Sequence, residues 1–221
     1  VTPPLCSTGI FTHIYCSAGY AEGDMLVPNI ARNGKKAESY RWANGIIPYS
    51  IEGYFSKYED ALIFYSFSHS RAHSTSTDLP YFDFCALSTG CWSSVGRIGG
   101  RQEVNLQNPG CITKKGTVLH ELLHAVGFGH EQSRPERDDF VDIKFNNIKS
   151  GTEPNFRKED PQSSDGFGVP YDYNSVMHYS EYAFSKNSQR TIVGGVTLGQ
   201  REGLSRGDVR KINNMYRCKK E

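Results

Sequence analysis

The sequence predicts an α+β fold in two lobes, and three observations carry that prediction. Segments of strand character fill the first half, at 46–51, 81–84, 93–98 and 103–106, broken by one helical stretch at 58–68. They are short runs with aromatic or β-branched residues between turn formers, as strands of a mixed sheet are. A helix over 117–128 follows, and regular structure then thins out until a closing helix at 205–216. Gly129 reads as the junction of an upper and a lower lobe with a cleft between them, and 160–168, rich in Asp, Ser and Gly, reads as an exposed loop.

Length and charge restrict what such a fold can do. A chain of 221 residues suits one domain and buries about 70% of its unfolded surface, so it does not need disulfides to fold. A net charge of +1 with scattered Lys and Arg gives no basic field, which argues against nucleic acid as a partner. No apolar run approaches the roughly 20 residues of a membrane span. The opening VTPPLCSTG is not a signal peptide, and one is expected to have been removed already. No repeat, low-complexity tract or Asn-x-Ser/Thr site stands out.

Chemistry concentrates in HELLHAVGFGHE, residues 120–131. On a helix His120 and His124 stand on one face, about 6 Å apart along the axis, so both reach one ion. Glu121 lies about 100° around the helix, off the ligand direction but able to hold a water against the ion as general base. Gly127 comes where helices end in a left-handed residue, after which the chain can turn back and present His130. Three neutral imidazoles leave a fourth position open, which is the arrangement of catalytic zinc rather than structural zinc. A water there is acidified to a pKa of about 7, and Glu121 can pass its proton to a leaving amine.

The string matches HExxHxxGxxH, the extended metzincin zinc motif, and Glu131 directly after the third histidine narrows the resemblance to the astacins. SVMHY at 175–179 resembles the astacin Met-turn, with Met177 beneath the metal and Tyr179 as the switchable tyrosine that stabilises the tetrahedral intermediate. RWANGIIPY at 41–49 resembles the opening strand of an astacin domain, GCWSSVGR at 90–97 its substrate-side edge strand, and LSRGDVRKINNMYRC at 204–218 its closing helix. The resemblance covers most of 33–218. It implies a two-lobed metzincin with a mixed twisted sheet and the zinc helix in the upper lobe, to about residue 129. The lower lobe, 130–221, would be irregular and closed by the last helix.

The same resemblance implies a zinc-dependent endopeptidase holding one catalytic Zn(2+), acting on proteins or peptides, secreted and monomeric. Six cysteines agree with an oxidising compartment. Cys91 and Cys111 match the short family disulfide, and Cys218 matches one half of the long one. That bond's usual partner position holds no cysteine; Cys85 is the candidate, leaving Cys6 to pair with Cys16. A Cys6 or Cys16 thiolate on zinc is the rival use, since thiolates are good zinc ligands.

Residues 1–32 precede the recognisable domain, which spans 33–221. AEGD at 21–24 resembles the end of an astacin propeptide, whose aspartate blocks the metal, although Ala21 stands where the family has phenylalanine. Asp24 would then be the latent-form ligand, and Arg32–Asn33 the bond an activating protease cuts. In the family Glu131 is held through the new N-terminus, here that of Asn33. Substrate is expected to lie along Cys91, Trp92 and Ser93 by backbone hydrogen bonds. In the family a cation near the start of the zinc helix often favours acidic side chains, and the resemblance places Lys115, with Lys114 beside it, close to that position. The alternative is an extracellular binding module that keeps the fold without cutting. Glu121 speaks against it, because a binding module has no use for a general base.

Overall fold

The computed structural model describes residues 20–26, 38–51, 80–86 and 89–218. Cys6, Cys16, Arg32, Asn33 and the helix expected at 58–68 lie outside the described residues. The α+β architecture is as the sequence predicted. A mixed six-stranded sheet has the order β1-β2-β5-β6-β4-β3, formed by Tyr20–Ala21, Met25–Leu26, Cys91–Ser94, Arg101–Leu106, Tyr81–Cys85 and Tyr49–Ile51 respectively. β3, β4 and β6 run parallel, and β5 is antiparallel to β6.

β4 runs one residue past expectation, to Cys85, and β6 begins two earlier, at Arg101, while β3 starts late and β5 stops early for local reasons. The stretch before β3 is a 3-10 turn, Ala43–Gly45, broken at Asn44 by a φ of 56°, and the strand starts only at Tyr49, after Pro48, which has no N–H to give a ladder. β5 stops at Ser94, since Gly96 turns away at a φ of 68°; its N–H donates to His124 O at 2.8 Å, which ties the sheet to the helix. β4 is buried along almost its whole length, and its one acid, Asp83, accepts from Ser50 Oγ at 2.9 Å and pairs with Arg101. A buried carboxylate without such partners would cost several kcal/mol, on the order of 3–5.

Helix α1, Lys115–Val126, lies across this sheet. Val118, Leu122 and Ala125 face Trp42, Phe82, Phe84, Val104 and Leu106 to form the upper core, and Trp42 Nε1 donates to Ala125 O at 3.0 Å. Gly127 ends the helix at a φ of 124°, with its N–H on His124 O and Leu123 O. A Cβ there would sit 2.9 Å from Met215 Cε, which the flexible methionine can relieve by shifting, so it is the positive φ that calls for glycine.

Beyond Gly129 regular structure is sparse, as anticipated: 3-10 turns and one two-stranded ladder, Asp142–Ile143 (β7) with Ile192–Val193 (β8). A second core of Val141, Ile148, Phe156, Tyr171, Tyr179, Ile192 and Leu198 holds this half together. Helix α2, Arg206–Met215, closes the chain behind a capping box in which Ser205 and Asp208 satisfy each other's backbone N–H. Met215 joins Leu123, Phe128, Val176 and Met177 in a small cluster joining the two halves.

Cys91 and Cys111 form the expected disulfide. The Cys85–Cys218 pairing is a correction: no such bond forms. Cys85 is buried in β4 with its sulfur 3.6 Å from Asn105 Oδ1, whereas Cys218 is exposed beyond α2. Strand alternation fixes the direction of the first thiol, which lies against Val104 O and Asn105 of β6.

Candidate active site

The helix geometry does what the spacing requires. His120, His124 and His130 are all buried, and each Nδ1 is engaged away from the others: His120 with Val176 O at 2.8 Å, His124 with Phe128 O at 2.8 Å, His130 with Glu22 Oε2 at 2.7 Å. Each Nδ1 therefore carries the hydrogen, and each Nε2 lone pair points inward. His120 Nε2 and His130 Nε2 stand 3.3 Å apart, a separation at which two lone pairs repel unless a positive charge sits between them.

Asp24 completes the group. Its Oδ2 lies 3.2 Å from both His120 Nε2 and His130 Nε2, and its Oδ1 lies 3.6 Å from His124 Nε2. All four donor atoms fall within 4.8 Å of one another. Asp24 Oδ1 and His124 Nε2 are buried with no hydrogen-bond partner among the described residues, two acceptors aimed at one point. That donor set fits one zinc ion. Electrostatics agree: burial acts to raise Asp24, but His130, His120 and His124 hold it well below its ordinary value. Burial lowers His120 to about 3, whereas Asp24 and Glu22 overcome burial and lift His130 to about 10. The two carboxylates thus hold positive charge at the cluster, carried by His130 without an ion and supplied by the metal once the imidazoles ligate it as neutral groups.

Glu121 is buried beside the cluster, its Oε2 without a hydrogen-bond partner among the described residues. Burial, then the charge of Asp24, pushes it well above the usual carboxylate range. Tyr179 packs against His130, with ring centroids 4.5 Å apart and the rings tilted by 55°, and its hydroxyl donates to Glu22 O. Met177 is buried under the site, and its carbonyl accepts from Glu131 N at 3.1 Å.

The hairpin of β1 and β2 brings Asp24 there. Glu22 and Gly23 turn it with φ of 56° and 91°, and a Cβ on Gly23 would meet the Phe184 ring at 2.9 Å. β2 then adds in parallel to β5, pairing Met25 with Ser93 and Leu26 with Ser94, while Ser93 N donates to Asp24 O at 2.9 Å. The edge strand β5 is therefore already paired at Ser93 and Ser94 by the chain's own N-terminal segment.

Some functional groups carry no local signal in the sequence. Glu22 stands in the AEGD string, yet nothing in its surroundings there indicates that its carboxylate would hold both His130 and Ser133 Oγ, the latter at 2.8 Å. Arg201, mostly buried, bears electrostatically on Asp24, Glu121 and Tyr179; its NH1 donates to His178 O at 3.1 Å and its carbonyl accepts from Gly116 N. Lys115 is exposed at the first turn of α1, and Lys114 reaches Glu202 at 3.5 Å. Glu131 is fully engaged: Oε1 accepts from Arg134 at 2.9 Å and Asp172 N at 2.8 Å, and Oε2 pairs with Lys211.

A histidine trio around one zinc position, with a buried glutamate at its side and a sheet edge that binds extended chain, is the equipment of a zinc metalloendopeptidase. Known proteins agree. The chain belongs to the astacin family of peptidases, whose family profile, Astacin, matches residues 34–217. It is 41% identical over 196 residues to the zinc metalloproteinase nas-15 of Caenorhabditis elegans, covering 84% of this chain and 34% of that protein. It is 38% identical over 208 residues to meprin A subunit beta of Rattus norvegicus, covering 89% and 29%. This chain thus spans about a third of the length of those relatives. Among solved structures it resembles high choriolytic enzyme 1, a hatching enzyme zinc-protease from Oryzias latipes. The TM-score is 0.72 at 32% identity, covering 94% of this chain and 99% of that one.

Proposed function

We propose that this chain is a secreted zinc endopeptidase in latent form, in which residues 1–32 inhibit the catalytic domain of residues 33–221. The observation that carries the reading is Asp24: a carboxylate from the N-terminal segment meets all three imidazoles of the cluster. In this reading His120, His124 and His130 hold the ion and Asp24 takes the position a water needs.

Bound there, zinc supplies a Lewis acid that polarises the scissile carbonyl and acidifies water. The protein does the rest. Glu121 takes a proton from the attacking water and returns it to the leaving amine, a role that contributes typically 10²–10⁴-fold. Tyr179 is held by Glu22 O in this state; once the segment leaves, its hydroxyl is available to the developing oxyanion. Substrate takes over the edge of β5 that β2 now covers, and Arg201, whose charge bears on Asp24 and Glu121, favours an acidic side chain next to the scissile bond, in place of the exposed Lys115 expected from the sequence.

Removal of the segment would free the amine of Asn33 to approach Glu131. A cavity of about 20 Å³ lined by Glu131, Arg134, Asp208 and Lys211 has room for about one water, through which the amine could be bound. A mature structure with the N-terminus far from Glu131 would refute that contact. Secretion is supported by the Cys91–Cys111 disulfide, since such bonds persist in oxidising compartments. Latency itself is tested by a zinc-dependent cleavage assay before and after removal of residues 1–32, with the new N-terminus sequenced. Activity confined to the shortened chain is expected; equal activity in both would reject it.

A further inference from the structure

Behind the site, one carboxylate of α2 grips the turn on which two parts of the cluster rest. Asp208 is buried, and its Oδ1 accepts from Ser175 Oγ at 2.6 Å while its Oδ2 accepts from Val176 N at 2.9 Å. Ser175 Oγ in turn accepts from Met177 N at 3.1 Å. The carbonyls of that same turn face the other way. Val176 O takes the His120 Nδ1 hydrogen at 2.8 Å, and Met177 O takes the N–H of Glu131, the residue after His130.

We propose that Asp208 is a positioning residue for the metal ligands, acting on His120 through the Val176 peptide and on His130 through Met177. The physical ground is that a ligating imidazole keeps its direction and tautomer only while the acceptor on its other nitrogen stays fixed. For His124 that acceptor is Phe128 O, within the same segment of chain. For His120 it is a loop carbonyl 56 positions away, and Asp208 is the charged group that holds this loop from below. A hydrogen bond to the N–H of a peptide also polarises its neighbours along the chain, so the carboxylate supports the turn electrostatically as well as sterically.

Asp208 has a second task, the N-terminal cap of α2, where its Oδ2 accepts from Ser205 N at 2.9 Å and its N–H donates to Ser205 Oγ at 2.9 Å. The two tasks separate by variant. Ser205→Ala removes the Oγ half of the cap, with its hydrogen bond to Asp172 Oδ2, and leaves the grip of Asp208 on the turn. Ser175→Ala loosens the turn and leaves the cap. Asp208→Asn weakens both.

The inference rests on the reading of the three histidines as zinc ligands. The test is therefore zinc affinity by competition with a chromophoric chelator, on the full chain, alongside thermal melting of the metal-free form. Second-layer partners of zinc ligands typically contribute 10–100-fold in affinity. Asp208→Asn and Ser175→Ala are each expected to weaken zinc binding by about tenfold, the low end of that range because they act through one more bond. Ser205→Ala is expected to lower the melting temperature while leaving zinc affinity at the parent value. Parental affinity in both Asp208→Asn and Ser175→Ala would overturn the inference, as would losses that follow melting temperature across all three variants. If the parent chain fails to bind one zinc, the ligand reading itself falls, and the two failures are thereby distinct.

Discussion

Asp24→Ala tests how the latent state is held. The carboxylate meets His120 and His130 at 3.2 Å and His124 at 3.6 Å, so its removal takes away the one contact shared by all three imidazoles. In the proposed reading the carboxylate is the anionic partner of the bound ion, and removing one partner of a buried ion pair costs about 3–5 kcal/mol, so a loss of about 3 kcal/mol is expected. At ~1.4 kcal/mol per tenfold, the open population should rise about a hundredfold. Opening should stop short of full activity. The β2 pairing with β5 survives the change, as do the contacts of Glu22 with His130, Ser133 and Tyr179. The assay is hydrolysis of a quenched fluorescent peptide by the uncleaved chain, with the Arg32–Asn33 bond verified intact by mass. Activity near a hundredfold above the parent, rising further with Glu22→Ala, is the expected result. A variant that retains zinc yet stays as silent as the parent would refute the reasoning.

Three further outcomes follow from the same geometry. Tyr179→Phe should lower turnover of the activated enzyme by about a hundredfold or more, the usual effect of removing an oxyanion donor, with zinc content and KM little changed; unchanged turnover would reduce the residue to packing. Arg201→Met should flatten any preference for Asp or Glu beside the scissile bond, read from cleavage of a peptide library; a preference that persists would place the deciding charge elsewhere. His178, buried between Tyr171 Oη at 2.7 Å and Tyr179 O at 2.8 Å, is lowered by burial from 6.5 to about 4. Below pH 6.5 the unfolded chain takes up a proton that the folded chain refuses until about 4, so stability falls as pH drops through that window. At ~1.36 kcal/mol per pH unit the loss approaches roughly 3 kcal/mol. Melting of His178→Gln should be correspondingly less acid-sensitive than the parent; parallel pH profiles would show that His178 contributes nothing.

The legible part of the site was the part with a local period. Helical spacing places His120, Glu121 and His124, and the demand for positive φ explains Gly127 before His130 is reached. Asp24 was recognisable from the string around it. Glu22, Arg201 and Asp208 were not, because each acts at a separation of tens of residues or more, where neither period nor motif constrains the partner. Glu22 reaches His130 across 108 positions. The parallel addition of β2 to β5 was hidden for a related reason: two-residue strands carry no alternation to read, and the same holds for β7 and β8. Choosing Cys85 as the nearest cysteine to the expected partner position of Cys218 failed, since which way a strand residue faces decides its partner and nearness in sequence does not.

The most direct test of the central claim compares metal content with activity after activation, in the parent, in Glu121→Gln and in His124→Ala. The account predicts one zinc per chain in the parent and in Glu121→Gln. It predicts a loss of peptidase activity of about 10²–10⁴-fold in Glu121→Gln, and loss of both metal and activity in His124→Ala. Full activity in Glu121→Gln, or zinc-dependent cleavage by His124→Ala, would contradict it.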